Sequence, residues 1–322
     1  MNVCFGVDVG GTSIKFGMFD STGLLINKWE MKTPVGDGKI LLECIARNII
    51  EEADQSNITY SNIIGIGVGI PGSVKADGYV EACVNLGVRD LYVSKNLSKL
   101  LGGVPVFVAN DANTAALGEM WQGGGQGYNS LVLITLGTGV GSGIVIDGKV
   151  LIGRRGIAGE IGHIMVNPDE PEMCNCGGQG CLDQIASATG LVTNMHRLID
   201  STKCLENSIW HNKEEITAKD ILDAARLQDP LASTTVEYCM EFLGRTIATI
   251  GQIVDPDAFI IGGGLSKAGD FLLEIIERYY RKYSTFSRER VEIVLAQLGN
   301  DAGIYGAAKM ALDGYEQEKE AG

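Results

Sequence analysis

The chain opens on apolar alternation. Residues 2–9, NVCFGVDV, form a short apolar run that ends in Gly10-Gly11. Ser13 to Phe19 alternates, Asp20-Ser21-Thr22-Gly23 makes a turn, and Leu24 to Met31 follows. Alternation of period two, broken by turn residues, predicts three antiparallel strands. Between 38 and 55 the period changes. Ile40, Leu41, Cys44, Ile45 and Ile49 recur at helical spacing and predict an amphipathic helix. Ile63 to Ile70 is a buried strand stopped by Pro71-Gly72. Val104 to Ala109 is another strand, and Asn110-Asp111 opens a helix running to about Trp121.

The glycine-rich segment Gly123 to Gly127 reads as a hinge, and the opening pattern then repeats. Ser130 to Leu136, Gly143 to Ile146 and Lys149 to Ile152 are strands, separated by Gly137-Thr138-Gly139 and Asp147-Gly148. Each half therefore begins strand, glycine turn, strand, turn, strand. This echo suggests duplicated domains around a cleft. The expected division is a smaller N-terminal lobe, 1–122, with the 303–322 helix packing back on it, and a larger lobe, 123–302. Helices are expected at 183–200, 217–227, 230–254 and 266–282. Ala258 to Ile261 is a strand closed by Gly262-Gly263-Gly264, and Val291 to Leu295 is another. A last helix is expected over about 302–313, with a frayed tail.

Composition narrows the function classes. At 322 residues the chain can bury ample core without staples. No run reaches the roughly 18–20 apolar residues of a membrane span. The start lacks a basic segment ahead of an apolar one, so no signal peptide is expected and the default location is cytoplasmic. The net charge of −14 argues against sequence-independent nucleic-acid binding, which relies on Lys and Arg at phosphates. Cys4, Cys44, Cys83, Cys204 and Cys239 lie in hydrophobic patterns and read as core residues of a reduced protein.

Three glycine turns are candidates for binding an anion or nucleotide. Asp8-Val9-Gly10-Gly11-Thr12-Ser13-Ile14-Lys15 offers backbone amides and a hydroxyl, or is simply a tight hairpin. A strand follows where a P-loop or dinucleotide fingerprint needs a helix. Leu136 to Gly143 repeats the device in the second half, through Gly137, Thr138 and Gly139. Two such turns facing each other would clamp a phosphate chain. Gly262-Gly263-Gly264 leaves a flat surface suited to adenine or ribose, or is a helix-entry turn. Asn110-Asp111 reads as a helix cap, or as a carboxylate that accepts an alcohol proton during phosphoryl transfer, with Mg²⁺ carried in by the nucleotide.

The densest chemistry lies in Gly159 to Asp183, GEIGHIMVNPDEPEMCNCGGQGCLD. It holds one of three histidines and three of eight cysteines. His163, Cys174, Cys176 and Cys181 form a closed Cys₃His set suited to structural zinc, with no position left for a reactive water. Free thiols or a redox pair are the alternative. His196 and His211 lack such neighbours and read as surface residues.

In order, DVGGTSIK, VGIPG, NDANTAALGE, LGTGVGSGI, GEIGH, CNCGGQGCLD and IIGGG resemble the ROK family of sugar kinases and repressors. The resemblance covers nearly the whole chain, and VNLGV, NDANTAALGEMW and CLDQIASATG look most like the family's bacterial glucokinases. It implies an α/β actin-like ATPase (ribonuclease H-like) fold with two lobes around a central cleft. It implies ATP-dependent phosphorylation of a hexose 6-hydroxyl, glucose first, with fructose, allose or N-acetylmannosamine as alternatives. Asp111 would be the general base. Asn110 and Glu160 would bind other sugar hydroxyls, and backbone near Gly72 would line the sugar pocket. His163 would ligate zinc through one ring nitrogen and approach the sugar through the other. Gly11, Thr12 and Thr138 would meet ATP phosphates, within turns that also hold Asp8, Gly10, Lys15, Gly137 and Gly139. Gly263 and Gly264 would lie near adenosine. A homodimer or higher homo-oligomer is expected from the family.

Two positions depart from the family pattern. Asp183 stands where a longer Glu reaches the anomeric end of the sugar, and Val88 stands where many relatives carry an aromatic residue. Repressors of the family carry a DNA-binding segment ahead of the kinase-like body. Here the first strand opens the chain, and the charge is strongly acidic.

Overall fold

The structure is a computed structural model that describes residues 1–83, 86–202, 208–210, 215–285 and 291–321. The opening runs form β1 (Val3–Val9), β2 (Ser13–Asp20) and β3 (Leu25–Lys32), each antiparallel to the next. Helix α1 (Gly38–Gln55) follows, capped by the Asp37 carboxylate. Strand β4 (Ile63–Ile70) is buried along its whole length and lies parallel to β1. Between Gly72 and Val104 the chain forms a hairpin, β5 (Tyr79–Cys83) with β6 (Val88–Tyr92), and a short helix α2 (Val93–Leu100). These pieces are too short to show a clear period, so the sequence pattern does not predict them. Strand β7 (Val106–Asn110) then pairs parallel to β4 and leads into α3 (Asp111–Gln122). The sheet order is β3-β2-β1-β4-β7.

The second half builds β8 (Leu131–Leu136), β9 (Val140–Ile146) and β10 (Lys149–Val150). Helices α4 (Asp183–Ala186), α5 (Ala188–Ser201), α6 (Ala218–Arg226) and α7 (Pro230–Val254) follow. Strand β11 (Ala258–Gly262), helix α8 (Asp270–Tyr283), strand β12 (Glu292–Leu295) and helix α9 (Ala302–Ala321) complete the chain. Its sheet order, β10-β9-β8-β11-β12, matches the first sheet position for position. The chain divides into two compact units. Unit 1 comprises Met1–Leu131, Gly143–Gly159 and Leu298–Gly322, and unit 2 comprises Val132–Ser142 and Glu160–Gln297. Among the described residues no helix is long and apolar enough to cross a membrane.

Some elements end where local chemistry dictates. The stretch expected as one helix over 183–200 breaks at Ser187, whose hydroxyl caps α5 by accepting from the Gly190 amide at 2.9 Å. Helix α8 starts at Asp270 instead of 266, because Gly264–Ala268 forms a 3₁₀ turn and Gly269 takes φ +65°. The C-terminal tail does not fray after 313. Helix α9 continues to Ala321, with Tyr315 packed on a cluster of Cys4, Phe19 and Leu312 and Lys319 lying 4.2 Å over the Tyr315 ring.

The core of unit 1 joins the sheet to the apolar face of α1, where Leu41, Leu42, Ile45 and Ile49 meet Phe5, Phe16, Ile66 and Val68. Fully burying each such side chain contributes about 1.5–3 kcal/mol. Val88 is also buried in this cluster, so its departure from the aromatic pattern is a change of core packing. In unit 2, Leu133, Ile134, Phe259, Ile260, Leu243, Ile247, Leu272 and Ile276 are buried. None of the described cysteines is in a disulfide. Cys4, Cys83 and Cys239 are buried as expected and Cys44 is half-buried, while Cys204 lies outside the described residues. His196 is exposed, and His211 also lies outside the described residues.

Helix α9 lies directly against β1 and β4. At Gly67 a Cβ would overlap the Ala307 carbonyl, a backbone group that cannot swing aside. Gly67→Val is therefore expected to lower stability by about 3 kcal/mol or more, read as a lower urea midpoint at unchanged m-value. A midpoint within error of wild type would refute this contact.

Candidate functional site

In unit 1 the parallel pairing of β1, β4 and β7 brings their carboxyl ends to one edge, where open α/β sheets bind ligands. Asp8 lies opposite Gly69 on β4, Gly69 lies opposite Ala109, and Ile70 lies opposite Asn110. Four of the expected residues, Asp8, Gly72, Asn110 and Asp111, are thus placed by one register.

Asn110 has the capping role its residue type suggests. Its Oδ1 accepts from the amides of Ala112 at 2.9 Å and Asn113 at 3.2 Å. Its Nδ2 donates to the Gly72 carbonyl at 3.1 Å, which ties the two segments together. Asp111 is the first residue of α3, and its Oδ1 accepts from the Ala112 amide at 2.9 Å. Burial raises the Asp111 carboxyl above the ordinary aspartate value, against the pull of these hydrogen bonds. Asp8 is pushed from 3.8 to about 6, first by burial and then by the charge of Asp111, with Lys15 opposing.

The turn at Gly10, Gly11 and Thr12 joins β1 to β2. The Gly10 amide donates to Ser13 O at 3.0 Å, and Gly11 and Thr12 are exposed at its tip. Thr33 holds the loop from below: its hydroxyl donates to Gly10 O at 2.6 Å and its amide to Thr12 O at 3.1 Å. Thr33 carries no motif, so the sequence pattern does not single it out. Lys15 donates from Nζ to Asn300 O at 2.7 Å, beside the start of α9.

In unit 2 the turn Gly137-Thr138-Gly139 joins β8 to β9, with the Gly137 amide donating to Gly139 O at 2.9 Å. The start of α5 grips this loop. The Ala188 amide donates to Gly137 O and the Thr189 hydroxyl to Thr138 O, both at 2.8 Å. Asp183, expected at the sugar, has its Oδ1 on the Val140 amide at 2.6 Å. Gly263 takes φ +83° against the backbone of Leu136, which sets the glycine turn after β11 beside the end of β8. Gly264 is exposed at the start of the following 3₁₀ turn.

The Glu160 side chain is exposed, immediately before a 3₁₀ turn over Ile161–His163. The ligand atoms of His163, Cys174, Cys176 and Cys181 all lie within 4.8 Å of one another. Cys174 Sγ is 3.8 Å from His163 Nδ1, and Cys176 Sγ is 3.6 Å from Cys181 Sγ. Tetrahedral zinc with bonds of about 2.0–2.3 Å sets its ligands roughly 3.5–3.8 Å apart, so the set fits that ion. With Nδ1 turned to the cysteines, Nε2 of His163 is directed away from them. The loop is braced from α4 and α5. Arg197 makes a bidentate pair with buried Glu170, at 2.6 and 3.0 Å, and Gln184 accepts from the Cys181 amide at 3.1 Å while donating to Glu172 O at 3.0 Å.

Residues 4–314 match the model of the ROK family. The protein belongs to the ROK family. It is 42% identical over 308 residues to a glucokinase of Halalkalibacterium halodurans, spanning 94% of this chain and 92% of that one. It is 36% identical over 313 residues to a glucokinase of Thermotoga maritima, spanning 95% and 96%. Its fold is similar to the crystal structure of a ROK family glucokinase from Streptomyces griseus in complex with glucose and AMPPNP, with 33% identity, TM-score 0.75, and 97% and 100% of the two chains covered. The fold is accordingly the actin-like ATPase fold of the family's sugar kinases.

The Asp8 pair has a consequence for stability. The folded protein binds the Asp8 proton more tightly than the unfolded chain does, because the folded value is about 6 against an ordinary 3.8. Stability from this group is complete below the ordinary value and is lost as pH rises from about 4 to about 6. The loss is on the order of 1–3 kcal/mol. Asp8→Asn is expected to raise Tm at pH 8 and leave it nearly unchanged at pH 4. Equal effects at both pH values would show that the carboxyl is not strained by charge.

Proposed function

We propose that this protein transfers the γ-phosphate of ATP to the 6-hydroxyl of a hexose, with glucose as substrate and glucose 6-phosphate as product. The observation that carries the reading is the carboxylate of Asp111, set at an edge shared with Asp8, in a chain whose glucokinase relatives align over more than nine-tenths of their length. Phosphoryl transfer to an alcohol needs little covalent help from the protein. It needs a base that orients the hydroxyl, donors for the phosphates, and exclusion of water.

Asp111 takes the proton of the 6-hydroxyl as the new O–P bond forms and the bond to ADP breaks. Burial raises its proton affinity, which strengthens it as a base. Asn110, with one Nδ2 hydrogen not needed by Gly72, binds a further sugar hydroxyl, as do Glu160 and the outward nitrogen of His163. Gly11, Thr12 and Thr138 present the exposed tips of their turns to the phosphates, and Gly263 and Gly264 face adenosine. Mg²⁺ supplied with the nucleotide neutralises phosphate charge when bound. Asp8 is the carboxylate suited to that cation, since a positive charge would relieve the burial and repulsion that raise it. His163, Cys174, Cys176 and Cys181 would hold zinc, which would take no part in the transfer and would fix the His163 ring. A cytoplasmic location and a homodimer or higher homo-oligomer accompany this reading.

Among hexoses and amino sugars in an ADP-release assay, glucose is expected to give the highest kcat/KM, and a better substrate would reassign the sugar. Asp111→Asn is expected to lower kcat by about 10²–10⁴ with sugar affinity retained; substantial residual turnover would remove Asp111 as base. Metal analysis is expected to find about one zinc per chain. Protein that is folded, active and free of zinc would refute the four-ligand site.

A further inference from the structure

One oxygen of the Asp183 carboxylate is engaged inside unit 2. Its Oδ1 accepts from the Val140 amide at 2.6 Å, and a Cβ on Gly139 would come within 2.7 Å of the same oxygen. The acid therefore packs against the last two residues of the Gly137–Val140 turn. The position of Asp183 comes from the metal element. Cys181 lies two residues upstream and bridges antiparallel to Met165, and the Leu182 amide donates to Ile164 O at 2.9 Å, next to His163. The same turn, and the strand that follows it, are touched by the other end of that element. The Ile161 amide donates to the Ser142 hydroxyl at 3.2 Å, and Gly162 lies against the Val140 carbonyl.

From this geometry we propose that Asp183 is a positioning residue for the nucleotide-phosphate turn, linking the Cys₃His element to Gly137–Val140. The length of the side chain fits this role. A Cβ on Gly139 would press on the Asp183 oxygen, and an acid longer by one methylene would have to fold back to keep the same oxygen on the Val140 amide. The proposal rests on the kinase reading. It adds that the end of the metal element serves ATP as well as the sugar.

The test is binding in the absence of turnover. Mg·ADP and glucose affinities are measured separately by calorimetry, each without the other, with zinc content and thermal melting as controls. Asp183→Ala is expected to weaken Mg·ADP by about tenfold or more, the effect of a lost hydrogen bond to a charged group. Glucose affinity should change less. Asp183→Asn keeps an acceptor oxygen and should bind Mg·ADP within about threefold of wild type. Should the alanine variant lose its fold, Asp183→Ser, too short to reach the amide, carries the same comparison. Unchanged Mg·ADP affinity, a larger loss for glucose than for Mg·ADP, or an asparagine variant as weak as alanine each overturns the proposal. Wild-type protein that binds no Mg·ADP overturns the kinase reading itself, and this inference with it.

Discussion

In a parallel ladder, register decides which chain ends share an edge. Here Asp8 is opposite Gly69, Gly69 is opposite Ala109, and Ile70 is opposite Asn110. Segments about 40 and 100 residues apart in the chain are thereby delivered to one place. A slip of one residue would turn every side chain of a strand to the other face and send Asp8 or Asn110 away from the edge. The uniformly apolar β4 has no polar face to fix its register by itself. That is set by its neighbours, and by α9 lying so close that a Cβ on Gly67 would strike the Ala307 carbonyl. Core packing and the candidate chemistry of unit 1 are therefore one constraint.

The arrangement stores electrostatic cost where it is useful. Two half-buried carboxylates, Asp8 and Asp111, oppose one another, and burial raises both. A fold selected for stability alone would dilute that charge. A site that receives a cation with its nucleotide recovers the cost on binding, because the cation removes the repulsion. Asn110 shows a different economy. Its side chain caps α3 and holds the Gly72 carbonyl, so the group next to the proposed base is rigid before any ligand arrives.

In unit 2 the Cys₃His element reaches further than its four ligands. Arg197 and Gln184 brace it from α4 and α5, the start of α5 grips the Gly137–Gly139 turn, and Asp183 joins the element to that turn. A metal bound there would be tied through these outer partners to positions several residues beyond its ligands.

The sequence by itself determined much of this protein. Alternation or helical spacing located β1 to β3 and α1, uninterrupted apolar runs closed by proline or glycine located β4 and β11, and the Asn110-Asp111 cap located α3. The repeated strand and turn pattern suggested duplicated domains, and the two sheets have matching strand order. The scarce residues between His163 and Cys181 announced a four-residue cluster, which the fold gathers within 4.8 Å. The hairpin β5–β6 and helix α2 stayed hidden because they are short and draw their stability from tertiary contacts. The continuation of α9 to Ala321 was hidden too, because a polar tail shows no apolar stripe and its support comes from Tyr315 on the Cys4 and Phe19 cluster. Only the tertiary structure decided what Asp183 touches. A residue type and a spacing define which groups are available, but a hydrogen bond across 43 residues depends on how the intervening chain is packed.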